Sequence, residues 1–225
     1  MAEFIFMLTK DDATVRDALD VYEQVRTTGL QWVGFKDIGV PAETLHELAG
    51  RMHSDNRTVV LEIVSTDPVA ELRSVQVGIE IGADVIMGGT NPDAALPLLS
   101  GRPQRYFPFP GWVVDHPSIL EGSIEEIAAS AADLTSRPGV HGLDLLAYRH
   151  RSADIPTLIR AVVAASRGPV VVAGSIDTAE QIRVVSECGA WGFTIGGGVF
   201  DRVLVPSGTI RDQIEAALAV ASGPV

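Results

Sequence analysis

Cysteine is almost missing from this chain. Its 225 residues include one, Cys188, so neither an intrachain disulfide nor a cysteine-based zinc site can form. Lysine is nearly as scarce: of 17 basic residues, only Lys10 and Lys36 are lysines. Positive charge as a whole is short, with 29 acidic residues against those 17 and a formal net charge of −12. A chain this acidic has no bulk attraction for a phosphate backbone or an anionic bilayer, which excludes nucleic acid and membrane as expected partners. No apolar run approaches the roughly 18 residues of a membrane span. Residues 1–10 lack the basic start and the length of a secretory signal, so a cytoplasmic globular protein is expected. Disorder is excluded by 46% hydrophobic and 20% charged residues, enough for a large core. The length suits one domain spanning residues 1–225.

What is present is an alternation. Apolar runs fall at 4–8, 32–38, 59–64, 85–88, 106–109, 142–147, 170–173 and 193–195. Segments of helical period separate them, at 14–27, 42–52, 68–81, 92–99, 123–135, 156–165, 179–188 and 209–221. Continuous apolar strands are the mark of a parallel sheet covered by helices. Ser123 with Glu126 three residues on reads as a capping box. Pro41, Pro68, Pro92 and Pro156 sit where first-turn prolines belong. Gly29, Gly50, Gly82, Gly139, Gly168 and Gly189 sit where left-handed C-caps are expected. Eight strands alternating with eight helices predict an α/β fold, a single (β/α)8 TIM barrel. At about 28 residues per unit it is near minimal length. The competing open doubly wound sheet would want a glycine-rich turn after its first strand. Here strand one runs into Thr9, Lys10, Asp11 and Asp12.

In such a barrel the chemistry lies at the C-terminal ends of the strands. Lys36, Glu62 and Asp144 are charged residues inside apolar runs on strands two, three and six, and are the candidate catalytic residues. An ammonium and two carboxylates converging on one point suit proton transfer beside a carbonyl. Lys36 is expected to pair with Glu62 and to act as an imine-forming amine, a base or an enolate stabiliser. Lys10, His116 and Arg149 are candidate substrate contacts. Arg149 either clamps an anion or pairs with Asp154. Pro108 and Pro110 forbid a regular strand, so residues 110–122 are expected to form an irregular loop that closes as a lid, bringing Trp112 and His116 over the substrate. Arg105 and His141, at strand starts, belong to the opposite, stabilising face. His46 and His53 fall on a helix, and Cys188 reads as a buried thiol.

Gly174 and Ser175 end strand seven, and Gly196, Gly197 and Gly198 end strand eight. Backbone N–H groups exposed there, with a short helical turn near 199–203 behind them, would make an anion site suited to a phosphate monoester.

With these motifs, residues 170–200 resemble the ribulose-phosphate-binding (β/α)8 barrel superfamily of phosphate-binding TIM barrels. The resemblance implies that Gly174, Ser175, Gly196 and Gly197 bind the phosphate of a small phosphorylated metabolite. The catalytic signatures of that group are not matched. The hexulose-phosphate synthases carry Asp-x-Lys-x-x-Asp on strand three, where this chain has Glu62 alone. The epimerases carry an acid before the strand-seven glycine, where this chain has Ala173. The keto-acid aldolases carry a strand-six lysine, where this chain has Asp144. Over its whole length the chain also looks like short bacterial barrels labelled 4-hydroxythreonine-4-phosphate dehydrogenase, although it has neither a nucleotide fingerprint nor a paired-histidine metal site.

The expectation is therefore an enzyme, a lyase or isomerase. It would act on a phosphorylated sugar or keto acid by aldol cleavage, isomerisation or epimerisation, with no cofactor. Alternatives are a metal-dependent lyase using Glu62 and Asp144 as oxygen ligands for a divalent ion, an oxidoreductase of the labelled kind, and a non-catalytic phosphometabolite-binding protein. A homo-oligomer is left open.

Overall fold

The computed structural model describes residues 1–223. Eight strands form the barrel: β1 (Glu3–Met7), β2 (Trp32–Lys36), β3 (Thr58–Ile63), β4 (Val85–Gly88), β5 (Arg105–Phe107), β6 (Leu143–Leu145), β7 (Val170–Val172) and β8 (Gly192–Ile195). All their pairings are parallel, in the spatial order β6-β7-β8-β1-β2-β3-β4-β5. The helices are α1 (Ala18–Val25), α2 (Ala42–Ser54), α3 (Pro68–Glu80), α4 (Pro92–Leu99), α5 (Ile124–Ser136), α6 (Ile155–Ala165), α7 (Ala179–Glu187), the short α8 (Gly197–Phe200) and α9 (Ile210–Ser222).

The expected alternation is thus the observed one, with the barrel nearly closed. The seam lies between β5 and β6, where two main-chain bonds replace a ladder: His141 N–H to Tyr106 O at 2.9 Å and Asp144 N–H to Pro108 O at 3.1 Å. Pro108 and Pro110 supply no N–H donor, which shortens β5 and thins this joint.

Alternate strand residues point inward. Ile5, Met7, Val60, Val85, Met87, Phe107 and Val171 form an apolar cluster distinct from the larger one between strands and helices. Below it the barrel is plugged by Trp32 against Trp191, edge to face at 4.9 Å, with the Arg105 guanidinium 5.3 Å from the Trp32 ring. His141 Nδ1 accepts the Tyr106 N–H at 3.2 Å. Arg105 and His141 therefore do lie on the stabilising face. Above the apolar cluster the inward positions turn polar: Lys36, Glu62 and Asp144.

Helix ends mostly follow the sequence. The Ser123–Glu126 capping box is formed. Pro68 and Pro92 open their helices, and Pro156 is the second residue of α6. Pro41 instead precedes α2 as its cap. Of the glycines expected to be left-handed, Gly82, Gly139 and Gly189 are so, while Gly50 lies inside α2.

Three segments depart from expectation. Residues 13 and 14 do not begin a helix. They form a tiny antiparallel hairpin, Thr9–Lys10 with Ala13–Thr14, and α1 starts four residues later. Residues 110–122 are not an irregular loop but a second hairpin, Trp112–Val114 with Ile119–Glu121. Its alternation buries Val113 and Leu120 and leaves Trp112 75% exposed. The turn after β8 is two residues earlier than expected, at α8.

Behind α8 the chain is pinned by Gln213, fully buried on α9. Its side chain donates to Val205 O at 2.7 Å and accepts from Val205 N–H at 2.9 Å. Gln213→Ala would leave the Val205 N–H unpaired, at about 1–3 kcal/mol, while Val205 O keeps the Gly208 N–H as a donor at 2.9 Å. We expect urea unfolding of that variant to show a lower midpoint with an unchanged slope.

Candidate active site

The site is built around Asp12, which the sequence reading passed over. Asp11 and Asp12 are the two turn residues of the first hairpin, both with positive φ, 51° and 60°. A two-residue hairpin turn of this kind favours Asn, Asp and Gly. The hairpin is folded onto β2 by Thr14. Its hydroxyl donates to Lys36 O at 2.7 Å and accepts the Lys36 N–H at 2.9 Å, while the Thr14 N–H bonds Ile38 O. This brings the Asp12 carboxylate directly over the end of β2.

There it meets two cations. Lys36 Nζ donates to Asp12 Oδ1 at 2.5 Å. Arg149, from the 3₁₀ turn Ala147–Arg149 after β6, grips the same carboxylate with both terminal nitrogens, at 3.0 and 2.9 Å. Glu62 Oε1 is 3.6 Å from Lys36 Nζ, and Lys36 and Glu62 are register partners on β2 and β3. The expected Lys36–Glu62 pair is therefore present, but Asp12 is the nearer partner. Arg149 pairs with Asp12 and not with Asp154, which instead caps α6 by accepting the Thr157 N–H. Burial alone would raise the Asp12 carboxyl, yet the Arg149 hydrogen bonds and the Lys36 charge outweigh it and hold it far below the usual carboxylate range.

Asp144 behaves in the opposite way. It is fully buried, and neither carboxyl oxygen has a hydrogen-bond partner. Burial first, and the Glu62 charge second, push it well above the ordinary value, against the weaker pull of Lys36 and Arg149. It is not among the residues that line the cavity.

That cavity, about 700 Å³, opens at the C-terminal ends of the strands. Lys36, Glu62 and Arg149 line one part; Lys10, Ser175, Gly196 and Gly197 line another. The glycines differ in what they do. A side chain at Gly174 would strike Arg149 Nε at 2.6 Å, so this glycine lets the arginine lie across the end of β7. A side chain at Gly196 would strike Thr9 at 2.6 Å, so this glycine seats the first hairpin. Gly197 faces open space, with only Asp201 within 4.0 Å, and its N–H belongs to the first turn of α8, where donors have no partner inside the helix. Lys10 Nζ is 2.5 Å from Asp201 Oδ1 in an exposed pair.

His116 stands at the rim, half exposed, with Nδ1 4.0 Å from Asp12 Oδ2. The second hairpin faces the cavity with Pro117, Ser118 and Ile119, whereas Trp112 lies with Glu121 and Glu126 on its far side. Trp112 is thus not placed to cover a substrate. The hairpin is also fastened: Arg149 donates to Ser118 O at 3.3 Å, and His150 Nε2 lies 2.8 Å from Gly122 O. Ser118 Oγ is buried without a partner beside the cavity, a second residue the sequence did not single out. Among the described residues there is no cluster of three or more His, Cys, Asp or Glu side chains placed to hold a metal, and none of the helices is long and apolar enough to cross a membrane.

The sequence matches no family model and no curated protein. Among solved structures, the chain is similar to orotidine 5'-phosphate decarboxylase from Pyrococcus horikoshii, with a TM-score of 0.70 and 11% identity over 98% of this chain and 100% of that one. It is similar to phosphoribosylanthranilate isomerase from Thermotoga maritima, at 0.66 and 15% over the whole of both chains. It is also similar to N-acetylmannosamine-6-phosphate 2-epimerase from Clostridium perfringens, at 0.61 and 12% over 96% of this chain and 92% of that one. These likenesses establish the (β/α)8 fold, and all three names are those of enzymes with phosphorylated substrates.

The two buried aspartates make opposite predictions. Asp12, lowered on folding, stabilises the protein fully at neutral pH, and that contribution drains away as pH falls below the unfolded value near 3.8. Asp12→Asn, which tolerates the positive φ, should cost about 3–5 kcal/mol at pH 7 by stranding buried cations, and progressively less as pH falls below 3.8. Asp144, raised on folding, has no cost below its unfolded value near 3.8 and a growing one as pH climbs toward its folded value. Asp144→Asn should therefore have no effect below pH 3.8 and gain stability relative to the unaltered protein as pH rises above it. Denaturant titrations of both variants from pH 2 to 9 measure the two slopes.

Proposed function

We propose that the chain is an enzyme that moves a proton at the carbon beside a carbonyl in a small phosphorylated sugar or keto acid, leading to isomerisation, epimerisation or aldol cleavage. The observation that carries this reading is Lys36 bracketed by Asp12 and Glu62 in the same cavity as the open Gly197 end of α8. A base, a fixed cation and a separate anion anchor share one space.

Each residue then has a part. Glu62 takes the proton from the carbon, and the electron pair moves onto the carbonyl oxygen. The Lys36 ammonium faces that oxygen and stabilises the enolate. A proton returned to the opposite face of that carbon gives the epimer; returned to the adjacent carbon, with the neighbouring hydroxyl proton passing to the enolate oxygen, it gives the isomer. In aldol cleavage Glu62 instead takes the β-hydroxyl proton, the carbon–carbon bond breaks to release the enolate, and the proton returns to the enolate carbon. Engagement in an ion pair favours this part for Lys36 over imine formation, which requires the amine to give up the proton it shares with Asp12. Main-chain N–H groups at Ser175, Gly197 and Gly198 hold the phosphate, and Lys10 exchanges Asp201 for it. Asp12 holds Lys36 and Arg149 in place, and His116 stands at the entrance. Support for the phosphate comes from these donors and from the phosphorylated substrates of the similar folds. Support for carbon-acid chemistry comes from the Lys36–Glu62 geometry.

The test is solvent deuterium exchange. Incubated in D2O with a panel of phosphorylated sugars and keto acids, the protein should label one of them next to its carbonyl. Glu62→Gln should slow this labelling by about 10²–10⁴-fold while phosphate binding persists. A phosphate-soaked crystal should place the anion near Ser175 and Gly197. Binding with no exchange across the panel would favour a non-catalytic phosphometabolite-binding protein, and anion at Arg105 or His141 would refute the anchor.

A further inference from the structure

Resting on that reading of the site, the structure assigns its substrate class more narrowly: we propose that the reacting end of the ligand is uncharged, so that the ligand is a phosphate ester of a neutral polyhydroxy carbonyl compound and not of a carboxylic acid. The reason is that every cation in the cavity wall already has a carboxylate partner, and at the Lys36 end those pairs are buried. Lys36 lies between Asp12 at 2.5 Å and Glu62 at 3.6 Å. Arg149 has both terminal nitrogens on Asp12, and NH1 also reaches Ser118 O. Lys10, the remaining cation of the wall, is paired with Asp201 at 2.5 Å. His116 faces Asp12 as well, at 4.0 Å.

Anions are in excess. The wall contains Asp11 and Asp177 besides Asp12, Glu62 and Asp201, and neither Asp11 nor Asp177 has an ion-pair partner among the described residues. A substrate carboxylate at the Lys36 end would have to displace Asp12 or Glu62 from its cation. Otherwise it would be desolvated beside two like charges. A hydroxyl or carbonyl meets no such obstacle. Glu62 and Asp12 accept from hydroxyls, Lys36 donates to a carbonyl oxygen, and the buried Ser118 Oγ has its hydrogen-bonding capacity unused. The phosphate is met differently: Asp177 and Asp201 adjoin Gly198 and Gly197, but the donors there are main-chain N–H groups, and Lys10 leaves Asp201 for the anion. Anion binding and carboxylate rejection can therefore coexist in one cavity.

Matched pairs differing only at the terminal carbon test this: erythrose 4-phosphate with 4-phosphoerythronate, ribose 5-phosphate with 5-phosphoribonate, and glucose 6-phosphate with 6-phosphogluconate. Their affinities are measured by calorimetric titration at low ionic strength, with inorganic phosphate as competitor. The expected result is at least tenfold tighter binding of the neutral member in one pair or more, with phosphate competing. Asp12→Asn and, should that variant fold poorly, Glu62→Gln each remove a carboxylate from the Lys36 end, and should narrow that ratio or reverse it. Equal or tighter binding of the acids by the unaltered protein, with phosphate competing, overturns the inference and leaves the phosphate anchor standing. So does failure of every neutral member to bind better than phosphate alone. A ratio that neither variant changes overturns its electrostatic cause. If phosphate competes with none of the ligands, the anchor fails and the inference falls with it.

Discussion

The carboxylate of Asp12 is shared between two buried cations that arrive from opposite sides of the barrel, and most of what is distinctive about the site depends on it. Lys36 comes from β2 and Arg149 from the turn after β6, and holding two cations together in so dry a place without a common anion would be costly. The arrangement dictates sequence well away from Asp12. Thr14 must fold the first hairpin onto Lys36, Gly196 must leave room for Thr9, and Gly174 must leave room for Arg149. Through Ser118 O the same guanidinium also fixes the second hairpin. Removing one partner from such a group costs far more than forming it gains, because the others remain buried.

The fold was legible because a parallel barrel strand, buried on both faces, is written as an unbroken apolar run. Lys36, Glu62 and Asp144 were legible for the same reason, each being a charged residue set in such a run. Asp12 was not, since it lies in a polar stretch where nothing sets one acid apart from the next. Its signal was a two-residue turn, Asp11 and Asp12, between residues able to pair across it. That turn also explains why α1 starts later than periodicity suggests. Around residues 110–122 the prolines spoke for a loop, but the alternation that buries Val113 and Leu120 prevailed, and it turned Trp112 outward. The glycines ending β7 and β8 showed where the backbone is bare. Only neighbouring side chains reveal that Gly174 and Gly196 are bare for packing, while Gly197 is bare toward the cavity.

A (β/α)8 frame on its own says little about a reaction, since one frame carries many. The similar structures make that point, being a decarboxylase, an isomerase and an epimerase by name. What narrows the choice here is the separation of two kinds of positive potential. One is ionic and fully neutralised around Lys36. The other is dipolar, from main-chain N–H groups at the start of α8. Under the proposed function they would recognise different chemical groups, and a ligand spanning them would offer a different group to each.

The seam between β5 and β6 has a kinetic meaning as well as a geometric one. Asp144 is enclosed on every side and its carboxyl bonds to nothing, so its proton has no hydrogen-bonded path to water. Its own N–H, however, makes one of the two main-chain bonds that hold the seam, to Pro108 O. Parting β5 from β6 would break few main-chain bonds, so exchange of a proton at Asp144 would follow the opening of that seam.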